Sequence, residues 1–178
     1  MPATPDDLFA LFDRLGIAHE TVSHPPLFTV SESRALRGRI PGAHTKNLFL
    51  HDKRGRVFLV CALEDASIDL KRLHHSLGAG RFSFGSAALM QQLLGIEPGH
   101  VTPFALMNDT AGKVAVVLDA SLMRHEKLNF HPLLNTMTTT ISRDDLVRFL
   151  EATGHPPRIL AVSGAGPEER AGPPPAPR

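Results

Sequence analysis

Two apolar runs split by a polar turn, Leu48-Phe49-Leu50 and Val57-Phe58-Leu59-Val60-Cys61-Ala62-Leu63, constrain this chain more than any other segment. The intervening Lys53-Arg54-Gly55 predicts a β-hairpin, and the unbroken apolarity of the second run predicts a fully buried strand. Lys46 and Asn47 stand at the mouth of the first strand, in Thr45-Lys46-Asn47-Leu48-Phe49-Leu50. An ammonium placed there either snorkels along the apolar surface or meets an anionic ligand.

At 178 residues, 42% hydrophobic and 21% charged, the chain is sized for one globular domain with a substantial core. Nineteen Lys and Arg against eighteen Asp and Glu leave no overall basic field, so any nucleic-acid contact must be local. The N-terminus lacks signal-peptide regions and no stretch approaches the roughly 20 apolar residues of a membrane helix, which predicts a cytoplasmic protein with no membrane partner. A single cysteine, Cys61, leaves no intrachain disulfide and no cysteine-cluster zinc site.

Thr4-Pro5-Asp6-Asp7 supplies a cap, a first-position proline and first-turn acids for a helix with Leu8, Leu11, Phe12 and Leu15 on one face. His24-Pro25-Pro26 breaks the chain, Leu27 to Val30 reads as extended, and Ser31-Glu32-Ser33 caps a short helix through Leu36. After the hairpin, a helix from Asp69 stops at Gly78, a Phe82/Phe84 strand follows, and Ser86 caps a helix ended by Gly95. The loop 95–103 leads to Phe104, and a turn at 108–112 feeds a strand from Val114 to Leu118. Extended segments at 128–130 and 138–141 precede a helix capped by Ser142, and Ile159 to Val162 closes the sheet. The reading is a mixed α/β domain over residues 1–162, with a Pro/Gly-rich disordered tail over 163–178.

Ten histidines invite a metal reading, but there is no His-Glu-x-x-His and most are scattered. Cys61 lies inside an apolar strand, where it serves as a small hydrophobe, and Ser86 lacks a nucleophile-elbow frame and serves as a helix cap. Three groups remain: Lys46-Asn47, the loop Gly99-His100-Val101-Thr102-Pro103, and Asn129 to Thr136. Lys46 can pair with a phosphate and Asn47 can orient a ligand through its amide. Gly99 lets backbone approach a substrate, and His131 can bind substrate or relay a proton near neutral pH. Each also has an ordinary structural explanation: a solvated lysine, a turn, a strand end.

The same segments, in this order, resemble the YbaK/prolyl-tRNA-synthetase-associated family of aminoacyl-tRNA deacylases over about residues 4–162. The family marks are the lysine before an apolar strand and the Gly-x-x-x-Pro loop; Phe130-His131-Pro132, Asn135-Thr136 and His24-Pro25-Pro26 look most like its freestanding ProXp-ala, or PrdX, branch. The resemblance implies a single α/β domain with a mixed, partly barrel-like sheet surrounded by helices. It implies hydrolysis of the ester of alanyl-tRNA(Pro), without metal or cofactor, with the tRNA acceptor end as substrate and prolyl-tRNA synthetase as a transient partner. Lys46, Gly99 and His131 would then be catalytic, and Asn47, Phe28, Val30, Thr102, Pro103 and Asn135 would bind substrate. The proton acceptor stays open between a side chain and the substrate's 2′-hydroxyl. His44, Lys53, Arg54 and Arg56 are candidate phosphate contacts or simply a solvated hairpin end. Three alternatives stand beside this: the same chemistry on cysteine, serine or another small residue; a non-catalytic tRNA- or synthetase-binding module; and a metal-dependent hydrolase using His125, His131 and Glu126.

Overall fold

Alternation along the predicted hairpin sorts its side chains into two cores, one on each face of the sheet. The computed structural model describes residues 1–26 and 30–164. In chain order the elements are α1 (Pro5–Leu15), β1 (Glu20–Ser23), α2 (Val30–Arg37), β2 (Ala43–Asp52), β3 (Val57–Leu63), α3 (Leu70–Ser76), β4 (Phe82–Phe84), α4 (Ala87–Leu94), a 3-10 turn (Pro103–Asn108), β5 (Val114–Asp119), a second 3-10 turn (Leu122–Arg124), β6 (Lys127–Phe130), β7 (Met137–Ser142), α5 (Arg143–Ala152) and β8 (Arg158–Leu160). The eight strands form one mixed sheet in the order β1-β7-β6-β2-β3-β5-β8, with β4 paired to β2 off that path.

The buried strand is β3. Val57, Leu59 and Cys61 face a large core with Phe49, Val114, Val116 and Leu118, which also holds Leu8 and Phe12 of α1, Leu94 of α4 and Phe149 of α5. Phe58 and Val60 face the opposite way, into a smaller core with Leu50, Leu73, Leu77, Phe82 and Val117. Covering both faces of a strand removes any place for a polar residue on it, which is why the run is apolar without interruption. In the larger core, Phe104 lies 5.1 Å from Phe12 and 5.5 Å from both Phe130 and Phe149, centroid to centroid, in edge-on contacts.

Helix ends follow the expected chemistry. The Thr4 hydroxyl accepts from the Asp7 amide at 3.2 Å while the Asp7 carboxylate accepts from the Thr4 amide at 2.9 Å, a reciprocal capping box. Asp69, Ser86 and Ser142 cap α3, α4 and α5 through their side chains. At the hairpin turn, burial alone would raise the pKa of Asp52. Bonds from the amides of Gly80, Arg56 and Arg54 and from the Arg56 side chain bring it down instead, to about 2.

Three boundaries differ from the sequence reading. Val30, expected to be extended, opens α2, while Leu27, Phe28 and Thr29 lie outside the described residues. Lys46 is not at a strand start: β2 begins three residues earlier, because Ala43 and His44 pair in parallel with Leu128 and Asn129 of β6. That distant pairing leaves no local signal. The strand β1 was also unforeseen; its residues are exposed and are held by register with β7, from Glu20 opposite Thr140 to Ser23 opposite Met137. At the other end, Val162 is buried and Ser163 donates from both amide and hydroxyl to Asp119, so the folded part runs past the expected boundary at 162. Residues 165–178, most of the expected tail, lie outside the described residues.

Candidate functional site

The cavity that brings Asn47 and His131 together opens where β2 forks. One edge of β2 pairs continuously with β3; the other pairs with β6 at Ala43 and His44 and with β4 only from Leu50 onward. Between those two partners lies a pocket of about 180 Å³ lined by β2, β6, the start of β7, Leu36 of α2 and Glu64 just past β3. Thr45 and Asn47 share the strand face that carries Phe49. The Thr45 hydroxyl donates to the Asn129 carbonyl at 2.6 Å, and the Asn47 amide nitrogen donates to the Val101 carbonyl at 3.1 Å. Asn129 is itself fixed, donating to the Pro41 carbonyl at 3.0 Å and accepting from the Thr140 hydroxyl. This ties β2, β6, β7 and the 99–103 loop around one space.

His131 follows β6 and stands on the same wall. Its Nδ1 is 2.8 Å from the Met137 carbonyl; a carbonyl only accepts, so Nδ1 carries the hydrogen and Nε2 presents a lone pair in the neutral ring. Burial lowers its pKa, the Met137 bond opposes that, and the neighbouring imidazoles of His24 and His100 lower it further. The net direction keeps His131 neutral at physiological pH, a state able to accept a proton. Leu133, two residues on, holds φ +74°, an uncommon left-handed backbone for a branched residue, and its buried side chain secures it.

The other expected site residues are placed differently. Lys46 lies on the opposite face of β2 from Asn47, and its Nζ donates to the Ala66 carbonyl in the loop after β3. Thus it reaches the segment that carries Glu64, but not the wall holding Asn47 and His131. Gly99 has φ +87°, which explains the glycine, yet it does not line the cavity. Thr102 and Pro103 are buried and do not line the cavity; Thr102 caps the 3-10 turn, accepting from the Phe104 amide at 3.3 Å. From this loop Val101 touches the site, through Asn47. Asn135 is in the β6–β7 connection and is not a lining residue. Phe28 and the side chain of Val30 lie outside the description.

Cys61 is buried and its thiol pKa is pushed up by desolvation, in keeping with a hydrophobic role. His125 lines a neighbouring space with His44, Glu64 and Asp65, apart from His131, and among the described residues no three His, Cys, Asp or Glu side chains gather as a metal-ligand set. Arg56, a candidate phosphate contact, is engaged with Asp52 and with the Gly78 carbonyl at 2.8 Å. Sequence reasoning missed Leu36, Glu64 and Thr138. An acid immediately after a buried strand was a usable signal for Glu64, whereas Thr138 is indistinguishable from its neighbours in Met137-Thr138-Thr139-Thr140.

The nine described lining residues, Leu36 to Thr138, fall within residues 24–149, and that span matches the family described as the aminoacyl-tRNA editing domain. The chain belongs to this family. It is 40% identical over 157 residues to prolyl-tRNA synthetase associated domain-containing protein 1 of Danio rerio, covering 87% of this chain and 85% of that one. It is 34% identical over 149 residues to prolyl-tRNA editing protein ProX of Acetoanaerobium sticklandii, covering 83% and 91%. Among solved structures, a candidate trans-editing enzyme for prolyl tRNA synthetase superposes with TM-score 0.66 at 17% identity, over 93% of this chain and 100% of that one. A hypothetical protein superposes with TM-score 0.70 at 23% identity, over 88% and 99%. These two likenesses establish the fold of the editing domain. Among the described residues, no helix is long and apolar enough to cross a membrane.

Proposed function

We propose that this editing-domain chain is a cytoplasmic trans-editing deacylase that hydrolyses the ester of alanine mischarged onto proline tRNA. The observation that carries the reading is the Asn47–His131 cavity inside the family's span, whose volume of about 180 Å³ accommodates a small aminoacyl group. Its relatives named for prolyl-tRNA editing support the choice of tRNA. Alanine follows from the logic of a second sieve: a synthetase pocket shaped for proline discriminates weakly against a smaller residue, by about 1–3 kcal/mol per apolar group lost, so a second site must clear the error.

Ester hydrolysis needs a positioned carbonyl, a nucleophilic water and a proton acceptor. Neutral His131, with Nε2 bare, suits binding or proton transfer; the substrate's own 2′-hydroxyl is the other candidate acceptor. Asn47 orients the aminoacyl end. Lys46 holds the loop carrying Glu64 through Ala66, and its two remaining N–H donors are suited to a phosphate near the terminal adenosine. Gly99 shapes the loop that Asn47 grips. No cofactor enters this chemistry, and the acceptor end of tRNA, with the synthetase as a transient neighbour, is the proposed partner.

The test is release of labelled amino acid from proline tRNA charged with alanine, beside prolyl-, cysteinyl- and seryl-tRNA, with and without chelator. Selective, chelator-resistant loss of alanine supports the reading. Preferential loss of cysteine or serine keeps the chemistry and corrects the substrate. Binding without hydrolysis of any ester replaces it with a tRNA-binding module.

A further inference from the structure

Four side chains on the cavity wall each have a hydrogen already committed elsewhere. Thr45 donates to the Asn129 carbonyl, His131 Nδ1 to the Met137 carbonyl, and Asn47 Nδ2 to the Val101 carbonyl. The fourth is set by His24. Its Nδ1 lies 2.8 Å from the Pro25 carbonyl and must donate, so in the neutral ring Nε2 accepts from the Thr138 hydroxyl at 2.8 Å.

What these groups leave available is lone pairs: two hydroxyl oxygens, Nε2 of His131 and Oδ1 of Asn47. The last is buried and has no hydrogen-bond partner among the described residues. Glu64 adds a carboxylate to the same wall. Among the described residues, the second amide hydrogens of Asn47 and Asn129 are the donors these side chains keep. A buried acceptor without a donor is unfavourable in the empty site, and the penalty is relieved when a donor arrives.

We propose that this pocket recognises a primary α-ammonium, and that it separates alanyl from prolyl esters by the number of N–H donors as well as by size. The inference rests on the deacylase reading and deepens it. An alanyl ester brings three N–H donors. A prolyl ester brings two, with a ring methylene in place of the third. A site built to pair with a donor rejects a ligand lacking it more strongly than an apolar slot rejects one methylene. Asn47 and His131 are therefore specificity residues, and His24 is a positioning residue that fixes which way the Thr138 hydroxyl points.

The test uses the intact protein and four esters on proline tRNA: alanyl, lactyl, 2-aminobutyryl and N-methylalanyl, each rate divided by that ester's spontaneous rate. Lactate replaces the ammonium by a hydroxyl at nearly the same volume. N-methylalanine and 2-aminobutyrate are isomers, one a secondary and the other a primary amine. Lactyl should fall at least about tenfold below alanyl, and N-methylalanyl at least about tenfold below 2-aminobutyryl, the scale of one hydrogen bond to a charged group. Asn47→Ala should shrink the alanyl-to-lactyl ratio. Equal rates within either pair would overturn the proposal, including the case where N-methylalanyl is slow but lactyl is fast, which is steric exclusion at nitrogen. Failure to hydrolyse even alanyl-tRNA would remove the deacylase reading and this inference together, whereas loss of selectivity alone leaves that reading standing.

Discussion

His131 and Lys46 show how one hydrogen bond can define what a side chain is able to do. The Met137 carbonyl fixes the tautomer of His131, and burial lowers its pKa below the free-imidazole value of about 6.5. Between the lowered value and about 6.5 the unfolded chain binds more protons than the folded one. The contribution of neutral His131 to stability is therefore complete above about pH 6.5 and is lost as pH falls through the folded pKa. Deacylation should follow the same sign: a pH–rate profile should keep its plateau down to pH 6.5 and fall only below it, and a profile still rising above pH 6.5 would contradict the assignment. In His131→Ala, that acid limb should vanish along with about tenfold or more of the rate. Lys46 donates to the Ala66 carbonyl and is half-buried. We expect Lys46→Ala to lower the melting midpoint only slightly, by the equivalent of about 1 kcal/mol, while cutting turnover at least about tenfold. Near-native turnover in a folded variant would show that its part is confined to the loop.

At the scale of elements, the fork in β2 makes the site, and β4 holds one side of that fork. Gly85, just after β4, donates its amide to the Phe49 carbonyl at 2.8 Å, and a Cβ there would sit 2.3 Å from Phe49 Cδ2. Phe49 is buried in the larger core, so the ring has little room to give. Gly85→Ala should cost about 1–3 kcal/mol, read as a loss of several degrees in thermal melting; an unchanged melt would mean that the β2–β4 contact yields freely. The hairpin turn gives the opposite kind of sensitivity. Asp52 has its pKa lowered to about 2, against about 3.9 in the unfolded chain, so its stabilisation is present above about pH 4 and is lost as pH falls toward 2. In Asp52→Asn, the acid-induced loss of stability over that interval should be smaller than in the native chain, as measured by denaturant titration at pH 2, 3, 4 and 6.

For the whole molecule, Asp119 anchors the last described segment. Asp119 is fully buried and receives the Val162 amide at 3.0 Å as well as both donors of Ser163. A chain ending at Gly164 should keep its melting temperature and its deacylase rate. One ending at Leu160 strands a buried carboxylate and should lose at least about 2 kcal/mol. Equal stability of the two would show that the last segment contributes nothing.

The local chemistry of this protein was legible in its sequence. Caps at Thr4, Asp69, Ser86 and Ser142, the stops at Gly78 and Gly95, and the doubly covered β3 all rest on residues close together in the chain, whose hydrogen bonds and periodicity act over a few positions. His131 and Asn47 could be singled out because an imidazole and an amide are informative wherever they fall. What only the tertiary structure decided was which neighbours share a space. Adjacent residues on a strand point to opposite faces, and the parallel pairing of β2 with β6 joins segments some eighty residues apart. That pairing moves the start of β2 upstream and brings the β6–β7 side of the wall, with Thr138 and His131, up to Asn47, while alternation along the strand sends Lys46 to the other face. Such contacts form because distant apolar strands bury one another, and no local pattern encodes the partner.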